Sequence, residues 1–446
     1  MLPKPDSIVA IATAPGRGGI GIVRVSGSDL VLLATTILGK QPKPRHATYT
    51  SFLDANGQVI DQGVALFFPA PHSYTGEAVL ELQGHGGPAV LQLVLQRCLE
   101  LGARLAQPGE FTQRAFLNGK LDLAQAESVA DLINATTSQA ARSAMRSMQG
   151  EFSKAIQHLV NELIRLRALV EAMLDFPEEE IDVTDIEQRS TWLAGLLTEL
   201  QNILDLAQQG RLLGEGAHIV LVGQPNVGKS SLLNRLSGEE AALVSEIPGT
   251  TRDIIRQEIQ ISGVPLHILD TAGLRESHDP IEQMGIARTR GALQTADVIL
   301  VLLDARLGLS REDQEILDEL PRDIPVLYVF NKSDLLTQNA QVKNREDESH
   351  IYLSAKTGEG LDLLRKKLLR LVGWHQENGA FMARERHVRE LLAARDQLQR
   401  AAGEASRAEV FAENLRLAQE HLSAITGEFS ADDLLGEIFS KFCIGK

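Results

Sequence analysis

The sequence has little cysteine, no long apolar run and no excess of positive charge. Cys98 and Cys443 are its only cysteines, too few for a disulfide scaffold and typical of a reducing compartment. The best apolar run, Val298–Leu303, ends at Asp304, far short of the roughly 20 residues that a bilayer requires. Prolines and glycines interrupt the first 33 residues, which excludes a signal-peptide core. We therefore expect a cytoplasmic protein with no membrane partner.

Lysine and arginine total 44 against 59 aspartate and glutamate, a net charge of −15. This balance excludes a general electrostatic attraction to nucleic acid, because phosphate binding needs clustered basic residues. Any RNA substrate would have to be bound by local patches or with the help of a partner.

The 446 residues exceed one compact core and predict about two to four domains. Residues 1–118 are rich in turns and contain apolar or alternating runs, which predict a small α+β domain. Those runs are Ile20–Val25, Val64–Phe68 and Val79–Leu82.

Residues 119–215 and 376–446 have apolar residues at three- and four-residue spacing, typical of helices. Between them, residues 216–375 alternate strands with helices, which predicts a parallel α/β sheet. Its strand candidates are His218–Val222, Leu266–Leu269, Val298–Leu303, Val326–Phe330 and Ile351–Leu353. The simplest architecture is an α/β domain inserted into one discontinuous helical domain.

A phosphate-binding loop follows the first strand of the α/β segment. Gly223 to Ser230 reads Gly-Gln-Pro-Asn-Val-Gly-Lys-Ser, and an apolar helical run follows it. In this motif backbone N–H groups surround the phosphates, the lysine reaches the β and γ phosphates, and the serine ligates Mg²⁺. We therefore assign Lys229 and Ser230 to those roles.

Three further motifs follow in order, each after a strand, and together they predict a GTP-binding domain. Asp270–Gly273 places a carboxylate near the metal and a glycine N–H near the γ-phosphate. Asn331–Asp334 places a carboxylate that accepts hydrogen bonds from guanine but not from adenine. Ser354–Lys356 offers backbone N–H groups to the guanine oxygen. The full predicted set is Asn226, Val227, Gly228, Lys229, Ser230, Ser231, Ser245, Glu246, Ile247, Pro248, Gly249, Thr250, Thr251, Asp270, Thr271, Ala272, Gly273, Asn331, Lys332, Asp334, Ser354, Ala355 and Lys356.

Two positions leave alternatives open. Leu274 stands where Ras-like proteins carry a glutamine that orients water. The following loop offers four replacements that the residues themselves do not rank: Arg275, Glu276, Asp279 and Glu282. Thr251 is either a second Mg²⁺ ligand or an ordinary turn residue.

The chain resembles the MnmE (TrmE) family of tRNA-modifying GTPases along its whole length. Besides the nucleotide motifs, the resemblance rests on seven stretches: Pro15–Gly19, Ser73–Glu77, Gly84–Gly87, Pro108–Thr112, Arg114–Asp122, Gly249–Asp253 and Phe442–Lys446. It implies a multidomain α/β and α fold: a Ras-like P-loop G domain inserted into a discontinuous helical domain, after a small α+β domain that binds folate and dimerises.

The resemblance also implies roles for single residues. Arg24, Glu81, Lys120 and Lys446 match positions that contact a one-carbon (formyl or methylene) tetrahydrofolate. Potassium ligands are matched by Asn226, Ser245, Ile247 and Thr250, and Glu282 matches the residue that orients the hydrolytic water. Cys443 matches a tail cysteine of unsettled role. The implied partners are a second copy of the chain, a flavin-containing (FAD) MnmG-like protein, and tRNAs whose wobble uridine receives an aminomethyl or carboxymethylaminomethyl group on carbon five.

Two other hypotheses remain open at this point. One is a ribosome-assembly or signalling GTPase whose helical arms bind RNA or protein, and the other is a folate-dependent transferase with a vestigial G domain. Folate binding distinguishes the first from the MnmE reading, and the complete set of nucleotide motifs disfavours the second. Without the resemblance, Asn226 would more often be a residue that shapes its loop than a potassium ligand.

Overall fold

The computed structural model describes residues 6–175, 183–239, 256–270, 293, 296–318, 320–336, 350–375, 379–404, 407–427, 438, 439, 442 and 445. The chain divides into two compact units. The first unit comprises Met1–Ala130, Met148–Leu196 and Ala393–Lys446, and the second comprises Asp131–Ser147 and Leu197–Leu392.

The N-terminal part of the first unit is a six-stranded mixed sheet. Its strands are β1 (Ile8–Ile11), β2 (Gly18–Gly27), β3 (Thr48–Leu53), β4 (Val59–Phe68), β5 (Ala78–Gly86) and β6 (Arg104–Leu105), in the order β3-β4-β5-β2-β1-β6. The three predicted runs lie within β2, β4 and β5, so the predicted α+β character is confirmed. Three helices accompany the sheet: α1 (Val31–Leu38), α2 (Pro88–Glu100) and α3 (Glu110–Leu117).

One face of this sheet forms a core with α1 and α2. Alternate residues of the central strands, such as Val23 and Leu80, are buried together with residues of both helices. Cys98 of α2 belongs to this core and is fully buried. Burial raises the pKa of the Cys98 thiol to about 12, so it is a packing residue rather than a nucleophile.

Helices follow along the chain from Leu123. They are α4 (Leu123–Asn134), α5 (Ser138–Met148), α6 (Glu151–Asp175) and α7 (Val183–Glu215). Apolar residues at helical spacing, including Leu159, Leu163 and Leu166 of α6, are buried. The predicted helical character of this segment is therefore confirmed.

The second unit contains another six-stranded sheet. Its strands are β7 (Ala217–Val222), β8 (Arg256–Ile261), β9 (Val264–Asp270), β10 (Val298–Asp304), β11 (Val326–Asn331) and β12 (His350–Tyr352), in the order β12-β11-β10-β7-β9-β8. All neighbours are parallel except β8 and β9. Three described helices lie between or after these strands along the chain: α8 (Lys229–Glu239), α9 (Arg311–Asp318) and α10 (Leu361–Leu371). All five predicted strands exist, although the last ends at Tyr352 and not at Leu353.

Two long helices, α11 (Glu385–Gly403) and α12 (Ala408–Thr426), follow the α/β segment. Within the first unit, α12 packs along α6, and Arg167 donates to Gln419 Oε1 at 2.7 Å. Helices that precede and follow the α/β segment therefore share one core, as the periodicity predicted. Among the described helices, none is both long enough and apolar enough to cross a membrane.

Candidate functional site

The predicted nucleotide motifs lie at one edge of the second sheet. Strands β7, β10, β11 and β12 are parallel neighbours, so the loops that follow them leave the same edge. β9 is also parallel to β7 and ends at Asp270, which pairs with Leu221. The tertiary structure therefore gathers motifs that are separated by more than a hundred residues of sequence.

The loop from Gly223 to Gly228 joins β7 to the N-terminus of α8. Asn226 has a left-handed φ of +64° and is exposed. The Lys229 ammonium donates to the carbonyl oxygens of Gly223 at 2.7 Å and Gln224 at 3.3 Å, so it lies inside the loop. A lysine at the start of an eleven-residue helix suits an anion, because helix N-termini carry partial positive charge and free N–H groups.

Asn331 connects the phosphate loop to the loop after β12. It is only 3% exposed. Its Nδ2 donates to Val227 O at 2.8 Å, and its Oδ1 accepts from Ala355 N at 2.9 Å. A Cβ added at Gly228 would collide with the same Asn331 amide, so this close approach requires the glycine of the motif.

Two residues predicted to lie at the guanine base, Asp334 and Lys356, are exposed beside this buried amide. Asp334 is exposed and accepts from the hydroxyl of buried Ser354 at 2.7 Å. This bond orients the carboxylate and leaves it lone pairs for a ligand, since a carboxylate accepts at about four sites. Lys356 is exposed on the neighbouring loop. The arrangement fits a base that donates two hydrogen bonds.

Asp304, at the end of β10, was absent from the sequence predictions. It is 6% exposed and binds both Arg306, at 2.7 Å from Nη2, and Lys332, at 2.8 Å. The hydrogen bond from Arg306 and that from Lys332 hold the pKa of Asp304 far below its usual range, although burial opposes them. The available signal was an acidic residue closing an otherwise apolar strand.

Several predicted site residues lie outside the described residues. They are Ser245, Glu246, Ile247, Pro248, Gly249, Thr250, Thr251, Thr271, Ala272, Gly273, Arg275, Glu276, Asp279, Glu282, Cys443 and Lys446. Asp270 has a described backbone position only. Ser230 and Ser231 are exposed in the first turn of α8, where a hydroxyl is available to a metal ion.

A second polar site lies on the N-terminal sheet. Arg24 of β2 and Glu81 of β5 are register partners, and their side chains form an ion pair at 2.9 Å with both mostly buried. The Arg24 guanidinium also lies 5.7 Å from the ring centroid of Tyr74 and 5.9 Å from that of Phe111. Burial raises the pKa of Tyr74, despite the hydrogen bond to Thr112 and the charge of Arg24.

The C-terminal tail reaches this ion pair. Arg24 Nη1 donates to the carbonyl oxygen of Gly445 at 3.3 Å, which places the residue before Lys446 at the site. Lys120 lies beside Gly76, because a Cβ added there would lie 3.3 Å from Lys120 Cγ. Gly76 belongs to the loop that carries Tyr74. Sequence reasoning had no means of joining the tail to Arg24 except through the family resemblance.

Family comparisons cover almost the whole chain. Residues 7–120 match the model of the GTP-binding protein TrmE N-terminus. Residues 123–443 match the model of the MnmE helical domain, a range that encloses the second sheet. Together with the sheet order and the phosphate loop, these matches confirm the predicted fold class, a Ras-like P-loop domain inserted into a discontinuous helical domain after an N-terminal α+β domain.

Relatives that match the chain over almost its full length carry the same family name. The tRNA modification GTPase MnmE of Nitrosomonas eutropha is 60% identical over 447 residues, covering 99% of each chain. That of Thiobacillus denitrificans is 60% identical over 445 residues, covering 100% of this chain and 99% of the relative. Among solved structures, an Aquifex aeolicus Era variant bound to GDP and aluminium fluoride aligns at 27% identity with a TM-score of 0.29, covering 40% of this chain and 66% of that one.

The Asn331 contacts generate a first prediction. Asn331→Ala leaves the buried Val227 carbonyl and Ala355 N–H unpaired, at about 1–3 kcal/mol for each group. We expect a lower melting temperature for the transition that GDP shifts upward, and GDP affinity reduced by about tenfold to a hundredfold. Calorimetry and titration with a fluorescent GDP measure both.

Asn234→Ala is the matched control, because Asn234 is exposed on α8 and its removal should change neither quantity. Wild-type GDP affinity in Asn331→Ala would show that the Asn331 amide does not organise the site.

Proposed function

This chain belongs to the MnmE family of tRNA modification GTPases and is a GTP hydrolase, and we propose that its hydrolysis cycle drives modification of carbon five of the wobble uridine of certain tRNAs. The observation that carries the GTP part is the Asn331 amide, which joins the phosphate loop to the Ser354–Lys356 loop after β12. The tRNA part rests on family membership and on relatives that match 99% or more of this chain.

In the proposed hydrolytic site, Lys229 exchanges its two loop carbonyls for the β and γ phosphates. Asp334 and the backbone N–H groups of the Ser354–Lys356 loop hold the guanine. Ser230 and Thr251 would hold Mg²⁺, which supplies neutralisation of phosphate charge when bound. Leu274 cannot orient the attacking water, and we propose on the family resemblance that Glu282 does.

We further propose that potassium stimulates hydrolysis. The phosphate loop would hold a monovalent cation, which would supply the positive charge that an arginine finger supplies elsewhere. Asn226 supports this, because its exposed position at the tip of the phosphate loop leaves its amide oxygen available. Ser245, Ile247 and Thr250 complete the proposed ligand set, and we propose that cation binding favours dimerisation of the G domains.

The Arg24–Glu81 pair is the proposed folate site. A partly buried guanidinium beside a carboxylate suits an anionic ligand with a pterin amino group, and a tetrahydrofolate supplies one carbon when bound. The tail contact at Gly445 supports including Lys446, and the position of Lys120 beside the Tyr74 loop supports including Lys120. We propose a homodimer that acts with an FAD-containing MnmG-like partner in the cytoplasm, where its tRNA substrate is found.

The proposed domain boundaries rest on the strands of the second sheet and on the two family matches. We propose an N-terminal domain at 1–118, helical segments at 119–215 and 376–446, and a G domain at 216–375. The strands of the second sheet fall between Ala217 and Tyr352, and the two family matches meet between residues 120 and 123; both observations support these boundaries.

Mass spectrometry of tRNA nucleosides tests the substrate. Cells that lack this protein should lose the carbon-five aminomethyl-type group on wobble uridine, and the intact gene should restore it. The Lys229→Ala variant should fail to restore it, because the phosphate loop loses its ammonium. Unchanged nucleosides together with defective ribosomal subunits would favour a ribosome-assembly GTPase.

Steady-state hydrolysis in matched salts tests the cation. We expect faster turnover in potassium than in sodium, by a factor approaching the 10³ that is the low end for an arginine finger. Asn226→Ala should lose this response while retaining GDP, because Lys229 and Ser230 still hold the nucleotide. Equal rates in the two salts for the unaltered protein would refute the potassium proposal and leave the GTPase assignment intact.

Calorimetry with a reduced folate tests the N-terminal site. Arg24→Gln removes a charge-assisted bond worth about 1.5–3 kcal/mol, so folate affinity should fall by about tenfold to a hundredfold while GDP affinity stays unchanged. Arg165→Gln is the control, since Arg165 is exposed on α6. Undiminished folate affinity in Arg24→Gln would exclude the Arg24–Glu81 pair as the folate site.

A further inference from the structure

Asp304 belongs to neither loop of the nucleotide site, but it binds Lys332, which in turn contacts the phosphate loop. It closes β10, which lies between β7 and β11 in the sheet. The backbone of Asp304 is paired with that of Asn331. The backbone N–H of the next residue, Ala305, donates to the carbonyl oxygen of Asn331 at 2.8 Å. The carboxylate is therefore fixed at the edge from which both the phosphate loop and the base-recognition loop emerge.

Lys332 is held between two oxygen acceptors. Its ammonium donates to Asp304 Oδ2 and to the carbonyl oxygen of Asn226, each at 2.8 Å. Lys332 and Asn226 both have left-handed φ values, +66° and +64°, which are uncommon for residues other than glycine. One ammonium thus fastens together the two unusual turns that carry the base-recognition and phosphate-binding residues.

Arg306 fixes the orientation of Asp304. Arg306 Nε donates to Oδ1 at 3.0 Å and its Nη2 to Oδ2 at 2.7 Å, while Arg306 N also donates to Oδ1 at 3.0 Å. Such a two-pronged pair has a defined geometry. Oδ2 is therefore held where Lys332 meets it, and two cations share one nearly buried carboxylate.

We propose that Asp304 is a positioning residue for the nucleotide site, which holds the Lys332 ammonium on the Asn226 carbonyl and so couples guanine binding to the response to potassium. The potassium half of this inference rests on the proposed function of Asn226. The guanine half depends only on the described contacts of Asp304 and Lys332.

The coupling has a simple physical route. The side chain of Asn226 starts from the same backbone whose carbonyl Lys332 holds. If Lys332 is released, the left-handed turn at Asn226 loses a charged partner, and its amide oxygen is presented over a wider range of directions. A cation held by several oxygens then binds more weakly, because binding must first fix the direction of the Asn226 amide oxygen, at a cost in conformational entropy. The same release weakens the loop that contacts guanine.

A purely structural ion pair would behave differently. Removing Asp304 would then lower the stability of the fold and leave the nucleotide and cation constants of the folded protein unchanged. A positioning role instead changes both constants in protein that is still folded. The two readings are therefore separated by binding measurements made below the melting transition.

Asp304→Asn keeps the shape of the side chain and removes its charge, which leaves Arg306 and Lys332 as neighbouring cations. We expect GDP affinity to fall by about tenfold, the effect of about 1.4 kcal/mol from one charge-assisted bond. The potassium concentration for half-maximal hydrolysis at saturating GTP should rise several-fold. Asp362→Asn, which changes an exposed aspartate of α10 that pairs with Arg365, should change neither constant.

A double-mutant cycle tests the route through Lys332. In Lys332→Met the ammonium is already absent, so adding Asp304→Asn should reduce GDP affinity no further. If the two losses add in full, Asp304 acts by another path and the proposal is wrong. GDP affinity of Asp304→Asn within twofold of the unaltered protein overturns it as well.

Arg306→Gln gives a second measurement if Asp304→Asn does not fold. Arg306 is about half exposed, and its loss leaves the carboxylate charged but less well oriented, so we expect a smaller fall in GDP affinity, about threefold. An unchanged GDP affinity there would count against the proposal. If the unaltered protein shows no response to potassium, the proposed function of Asn226 fails, while the GDP measurements still decide the role of Asp304.

Discussion

The nucleotide site depends on one buried amide. Asn331 uses both of its polar atoms on backbone groups, one in the phosphate loop and one in the loop after β12. Because these partners are buried away from water, losing either bond leaves an unpaired group. The strands β7, β11 and β12 belong to one parallel part of the sheet and bring the three segments to one edge, where Asn331 joins them.

Two lysine side chains make further contacts among the loops at this edge of the sheet. Lys229 lies on the carbonyls of its own loop, while Lys332 lies between Asp304 and Asn226. Lys332 joins two loops, which lowers the conformational cost of ordering them when a nucleotide binds. The acceptors of Lys229, by contrast, lie within its own loop.

Prediction from sequence succeeded where the pattern was strong and failed at the margins. Buried strands such as β10 are continuous apolar runs, which periodicity detects. The strands it missed were β1, β3, β6 and β8. Three of these are sheet edges, where polar residues and short length conceal the alternation, and β1 has only four residues.

The motifs alone predicted a GTP-binding domain, because the glycines, lysines and carboxylates that bind a nucleotide stand at fixed spacings in the sequence. The contact of Asp304 with Lys332, and the meeting of Gly445 with Arg24 across 421 positions, were decided only by the tertiary structure. Neither contact has a local signature, since a lone aspartate at a strand end and a glycine in a tail fit many environments. The distant groups that these residues contact depend on the order of strands in the sheet and on the path of the C-terminal tail. The spacing of residues in the sequence specifies neither.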